Sequence, residues 1–150
     1  MKVLALDIGK RGAFARNYGN RPRLGLIDCT RNAKDRPGIS LMKLHRALEA
    51  QPVPDLIVHE VLIGTGKGKR LLHGFGAVVE LYATRHFIPV QMVPAATLKK
   101  WATGYGRADK TDMMNRSGEL MDDNLSDALL LLEYTTAHYD TPQTHGRKQK

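Results

Sequence analysis

A single cysteine, Cys29, stands in the 150 residues. One thiol can build neither a disulfide framework nor a thiolate zinc site, and the chain suits a reducing compartment. Long apolar runs are missing too: none approaches the ~20 residues that a membrane span requires. The apolar stretch near the N-terminus is broken by Asp7 and is too short for a secretory leader. The expectation is a soluble, intracellular, cytoplasmic protein. There is no internal repeat and no low-complexity block. Acidic residues are the scarcer charge, 15 against 23 Lys plus Arg, for a formal net charge of +8 and a pI of about 9.8. That balance suits a polyanionic partner, nucleic acid before an anionic membrane, with plain solubility as the alternative. The apolar fraction, 42%, is near the globular norm. One domain with a real core is therefore expected over residues 1–139, with a polar, basic, disordered tail over residues 140–150.

Residues 2–8 form an apolar run of strand length without polar alternation, as in a strand buried on both faces. Gly9-Lys10-Arg11-Gly12 reads as a turn, and residues 13–18 and 23–29 as two further strands joined by Gly19-Asn20-Arg21-Pro22. Residues 30–38 read as a loop. Ser40 can cap a helix through Leu41, Leu44, Ala47 and Leu48, which Pro52 and Pro54 terminate. Residues 55–60 are a fourth strand, 64–70 a flexible basic loop, 71–87 a helix and 88–93 a fifth strand. A short helix over 94–102, a break at Gly104-Tyr105-Gly106, a helix over 110–120 and an apolar helix over 124–137 complete the chain. The order β-β-β-α-β-α-β-α-α predicts an α/β fold: a five-stranded mixed sheet with helices on both faces.

Three acidic places carry the chemistry. Asp7 closes the first strand, Glu60 closes the fourth, and Asp122-Asp123-Asn124-Leu125-Ser126-Asp127 opens the last helix. A carboxylate at the end of a buried strand is costly without a partner. If the two strands are neighbours, Asp7 and Glu60 emerge at one sheet edge. Asp123 and Asp127, four apart, share a helical face, as do Asn124 and Asp127, three apart. Such a group would repel itself unless cations intervened. Oxygen ligands on rigid elements suit Mg²⁺, and two ions would make a phosphodiester-cleaving centre. Each residue has a blander reading. Asp7 could hydrogen-bond the following turn, Glu60 could be an ordinary strand-end charge, and Asp122, Asp123 and Asn124 could cap the helix. Asp127, one turn inside an apolar helix, is the hardest to dismiss.

Basic residues fit a phosphate backbone. Lys67, Lys69 and Arg70 lie in a glycine-rich stretch that allows close approach; it is not a P-loop, because no Ser or Thr follows. Lys99 and Lys100 lie on the short helix, Arg107 and Lys110 flank the Gly104–Gly106 break, and any of them could ground a phosphate or stabilise the transition state. Solvent-facing charge is the alternative for each. Trp101 reads as core, His59 as a satisfied structural histidine, and Tyr105 and Phe75 as possible base-stacking groups.

The chain resembles the RuvC-type Holliday junction resolvases, with a phage or viral member as one form of that reading. The residues that carry the resemblance span 2–137: Leu4-Ala5-Leu6-Asp7-Ile8-Gly9, Ile57-Val58-His59-Glu60, Val93-Pro94-Ala95-Ala96-Thr97-Leu98-Lys99-Lys100, Gly104-Tyr105-Gly106-Arg107-Ala108-Asp109-Lys110 and Asp123-Asn124-Leu125-Ser126-Asp127-Ala128-Leu129. The resemblance implies an RNase H-like fold, a homodimer built on the 71–87 helix, Mg²⁺ or Mn²⁺, and paired symmetric nicks in a four-way DNA junction. It implies that Asp7, Glu60 and Asp127 are metal ligands, that Lys110 lies near the scissile phosphate, and that Lys99 or Lys100 supplies a second lysine there. Where the family places its fourth ligand this chain has Asn124, so Asp123 or Asn124 fills that position. Taken together, the expected catalytic set is Asp7, Glu60, Asp123, Asp127, Lys110 and Lys100. The expected DNA contacts are Lys67, Lys69, Arg70, Lys99 and Arg107. Two other classes compete: a non-catalytic nucleic-acid-binding module of the same fold, and an actin-like phosphotransferase suggested by Asp7-Ile8-Gly9-Lys10-Arg11-Gly12. The latter needs two lobes, and the chain is long enough for one.

Overall fold

The computed structural model describes residues 1–118 and 122–139. The expected tail at 140–150 lies outside them, as do Leu120 and the side chain of Lys67.

The first strand, β1 (Val3–Asp7), is the middle of a five-stranded sheet of order β3-β2-β1-β4-β5. It pairs antiparallel with β2 (Arg11–Arg16), and β2 pairs antiparallel with β3 (Arg23–Asp28). On its other side β1 runs parallel to β4 (Leu56–Glu60), which runs parallel to β5 (Val90–Val93). The described residues also form five helices: α1 (Gly38–Glu49), α2 (Lys67–Arg85), α3 (Ala95–Thr103), α4 (Lys110–Ser117) and α5 (Asp123–Tyr139). The expected α/β architecture, a mixed sheet covered on both faces, is what the chain adopts.

The two-residue period of a strand decides which helices cover which face. Val3 and Ala5 of β1, with Val58 of β4, join a core with Leu98, Ala102, Met113, Ala128 and Leu131 from α3, α4 and α5. Leu4 and Leu6 of β1, with Ile57 of β4, join a second core with Leu44 and Leu48 of α1 and Phe75, Val79 and Tyr82 of α2. Parity then places Asp7 with Val3 and Ala5, and Glu60 with Leu56 and Val58. Both acids belong to the face that α5 covers. The β1–β4 register pairs Leu6 with His59, so the next step along it brings Asp7 beside Glu60.

Several boundaries differ from the sequence expectation. Arg11 and Gly12 belong to β2 and not to a turn. Gly12 is required there: a Cβ at this position would stand 2.3 Å from the Asp7 carbonyl oxygen. Glycine thus lets β2 press against the backbone that carries Asp7. We expect Gly12→Ala to cost about 3 kcal/mol through overpacking. A melting temperature within about 2 °C of the wild type would contradict that contact.

Ser40 does not cap α1. The helix begins at Gly38 behind Pro37, with no side-chain cap, and Ser40 is buried inside it. The basic stretch at 64–70 is a loop only as far as Gly66, because α2 starts at Lys67. That helix ends at Arg85, earlier than expected, where Phe87 takes a left-handed φ of 57°. The fifth strand is confined to Val90–Val93. Among the described residues no helix is long and apolar enough to cross a membrane.

Candidate active site

Three elements deliver the acids. Asp7 and Glu60 end adjacent parallel strands, and α5 lays its first turns across the same end of the sheet. Asp122 stands just before α5 and caps it, its Oδ1 accepting the backbone N–H groups of Asn124 at 2.8 Å and Leu125 at 3.2 Å. The capping reading therefore holds for Asp122. Asp123 and Asp127 are left one helical turn apart on the side of the sheet acids.

The electrostatics tie the group together. Burial, reinforced by the charges of Asp127, Glu60 and Asp123, pushes the Asp7 carboxyl up to about 7, against the pull of Lys110. Burial and Asp127 also raise Glu60, while Lys99 lowers it. Asp127 is raised by burial and by Asp123, with Lys110 and Lys99 opposing. Asp123 goes the other way: it accepts a hydrogen bond from the Lys110 ammonium, which holds its carboxyl low and the lysine high. Asp7, Glu60, Asp123 and Asp127 therefore form one electrostatic neighbourhood, flanked by Lys99 and Lys110. Among the described residues no three His, Cys, Asp or Glu side chains stand close enough to make a ready-built ion cage. Uncompensated like charges do not collapse onto one another.

Beside the acids opens a pocket of about 270 Å³, lined by Asp7, Glu60, Lys69 and Ala95 with an apolar wall that includes Leu62 and Leu72. Ile63, also in the lining, is an exposed isoleucine. The sequence reading missed that wall. Its only local sign is that the apolar run continues through Val61-Leu62-Ile63 after strand β4 has ended.

The expected basic residues separate into groups. Lys69 lines the acidic pocket. Lys110 pairs with Asp123. Of the two lysines on α3, Lys99 is the one whose charge acts on Glu60 and Asp127. It stands four residues, about one turn, after the pocket residue Ala95. Lys100 is exposed one position further round. Arg107 is exposed, and Arg70 faces away from the acids into a second cavity. Asn124 is half-buried beside Asp123.

His59 is buried on the opposite face, its Nδ1 2.7 Å from the Glu60 carbonyl oxygen and its Nε2 without a partner among the described residues. Burial lowers its pKa, against a hydrogen bond to Glu60 and the charge of Glu80. Phe75 is core and has no face free for a base, whereas Tyr105 is exposed. Trp101 packs edge-on against Tyr134 at 5.6 Å, under the Arg116 guanidinium.

No family model and no curated protein matches the sequence. Solved structures do match the fold. The Thermus thermophilus RuvC structure superposes with a TM-score of 0.68 at 17% identity, over 87% of this chain and 90% of that one. A structure of T. thermophilus RuvC in complex with Holliday junction substrate gives 0.70 at 18% identity, over 93% and 94%. At such identity the likeness speaks for architecture, and the architecture is clear: the chain has the RNase H-like fold of RuvC.

Proposed function

We propose that the chain is a metal-dependent, structure-selective DNA endonuclease that resolves four-way junctions by paired symmetric nicks, acting as a homodimer in the cytoplasm of a bacterium or of a phage-infected host. The observation that carries the reading is the convergence of Asp7, Glu60, Asp123 and Asp127 at one end of the sheet, where burial, reinforced by the charges of the other three, pushes the Asp7 carboxyl up to about 7. The match in fold to a RuvC bound to a Holliday junction and the net charge of +8 support it.

The donor set fits a hard cation. It is all oxygen, held on rigid elements, and its mutual repulsion is what a bound cation relieves. Asp7, Glu60 and Asp127 would hold Mg²⁺ or Mn²⁺, two ions in the full reading, with Asp123 or Asn124 in the fourth position. Mg²⁺ is commonly held by one or two carboxylates with waters and substrate phosphates. Bound ions supply the Lewis-acid chemistry of phosphodiester hydrolysis.

The chain's own groups do the rest. Without a cation the Asp7 carboxyl, pushed up to about 7, keeps its proton over the acidic range and gives it up more readily when a countercharge arrives. Asp123 holds the Lys110 ammonium beside the acids, where it can meet the scissile phosphate. Lys99 offers a second positive charge from α3, and Lys69 a third from α2. Leu62, Ile63 and Leu72 make one side of the pocket apolar. Arg107 extends the basic surface for the DNA, and Lys67 stands in the first turn of α2.

Cutting of a synthetic four-way junction, but not of linear duplex, with Mg²⁺ or Mn²⁺ and not with chelator, is the expected result. Tight junction binding with no nicking and no uptake of Mn²⁺ would instead favour a non-catalytic binding module, and ATP hydrolysis would revive the phosphotransferase reading. The two α3 lysines should separate. Lys99→Ala is expected to slow cleavage by about 10- to 100-fold through lost charge stabilisation, and Lys100→Ala by less than about 3-fold. Equal rates for the two variants would remove Lys99 from the site.

A further inference from the structure

We propose that the flank of α2 facing away from the carboxylates carries a second phosphate-binding site, which holds backbone phosphates of the nucleic acid outside the cut. The inference rests on the nucleic-acid reading above.

A cavity of about 790 Å³ opens on that flank, larger than the acidic pocket. Lys10 reaches it from the β1–β2 turn, Thr30 and Arg31 from the loop before α1, Ser40 from α1 and Arg70 from α2. Three cations and two hydroxyl residues thus line it, and among the described lining residues there is no carboxylate. The loop is held in shape. The Arg31 Nη1 donates to the carbonyls of Asn32 at 3.1 Å and Asp35 at 2.5 Å, fixing the guanidinium through one of its nitrogens. Thr30 is bound to Asp28 through both its N–H and its hydroxyl, at 2.9 and 2.6 Å, and its carbonyl accepts from Lys43.

The first turn of α2 points to the same ligand. It has no side-chain cap and no acidic residue, yet Lys67, Lys69 and Arg70 all stand there. Cations at the positive end of a helix dipole are unfavourable alone, and an anion reverses the balance.

The tip of α2 divides the two sites. Lys69 and Leu72 face the acidic pocket, whereas Arg70, Leu71 and Gly74 face the cavity. The β1–β2 turn divides in the same way, with Asp7 and Ile8 on one side and Lys10 on the other. A nucleic acid crossing the helix tip would therefore present a phosphate to the acids and further phosphates to Lys10, Arg31 and Arg70. A free nucleotide shares the phosphate chemistry, but only a continuous backbone uses both flanks at once.

The test is the salt dependence of junction binding by the full chain, read by fluorescence anisotropy. Each lost phosphate contact flattens the log–log slope by about 0.9. Lys10→Gln with Arg31→Gln should flatten it by about 2, and adding Arg70→Gln by about 0.9 more. Ala33→Glu, which puts a carboxylate in the lining, should weaken binding without removing any cation. The control, Lys2→Gln with Arg21→Gln and Arg46→Gln, removes the same charge elsewhere and should leave the slope within about 0.5 of the wild type. Equal flattening by the control, or no flattening by the cavity variants, overturns the site and leaves the nuclease reading standing. Wild-type protein that binds no DNA overturns both. A cavity that binds inorganic phosphate or a mononucleotide while the cavity variants keep the wild-type slope overturns the backbone as its ligand.

Discussion

Asp7→Asn is expected to bind a four-way junction at least as tightly as the wild type and to cut it at least ~10³-fold more slowly, about 4 kcal/mol of transition-state stabilisation. The two halves have separate causes. Asparagine matches aspartate in size and keeps one carbonyl oxygen, so β1 and its contact with Gly12 are undisturbed. It also removes a negative charge from a pocket that must receive a phosphate, and binding should hold or improve. Cleavage fails because the most strongly perturbed carboxylate of the group, pushed up to about 7 by burial and by Asp127, Glu60 and Asp123, is the one with most to gain from a cation. Its neutral replacement has no such gain. Nicking by clean Asp7→Asn protein at a rate within tenfold of the wild type would end the nuclease reading. Loss of junction binding would mean that Asp7 holds the fold and not the reaction.

Much of this was legible in the sequence. Strand β1 announced itself as an uninterrupted apolar run, and the alternation of strands with helices gave a mixed sheet with two covered faces. The acids were legible for the same reason: a charge that ends a buried strand has few places to go. What was missed follows from local rules losing to tertiary packing. Ser40 looks like a cap, but Gly38 and Ile39 can already be helical behind Pro37, and the hydroxyl residue is drawn into the buried face. Lys67-Gly68 follows directly on Gly66 and has poor helix propensity, yet α2 takes it in because Phe75, Val79 and Tyr82 anchor the helix further on. Asp122 and Asp123 are adjacent and chemically alike, so only the backbone decides that the first caps α5 and the second pairs with Lys110. Lys99 and Lys100 are likewise adjacent, but here a signal existed. Phasing α3 on buried Leu98 and Ala102 sets Lys99 beside Ala95 and turns Lys100 away. The basic cavity had no such signal, because Lys10, Arg31 and Arg70 meet only through the fold.

The same burial and repulsion should be visible in stability, without substrate. The Asp7 pKa is about 7 in the folded chain against a reference near 3.8, so between those values the folded state binds the proton and the unfolded state has lost it. Stability of the cation-free protein must then fall as pH rises from about 4 to about 7, and stay level above. The full shift of about three units corresponds to about 4 kcal/mol at most. Glu60 and Asp127, also raised, push in the same direction. Asp123, lowered by Lys110, contributes stability above its unfolded value that is lost as the pH falls through its folded one. Background titration cancels when Asp7→Asn is compared with the wild type at each pH. The variant should melt with the wild type at pH 4 and pull ahead through pH 7. A gain of half the ceiling, about 2 kcal/mol, is about 4–8 °C for a domain of this size. Millimolar Mg²⁺ or Mn²⁺ should close most of that gap at pH 8 by binding the folded wild type, and little of it at pH 5, where protons compete. A difference between variant and wild type that stays flat from pH 4 to 8 would mean that neither burial nor the neighbouring carboxylates strain Asp7, and the reason for expecting a cation among them would be gone.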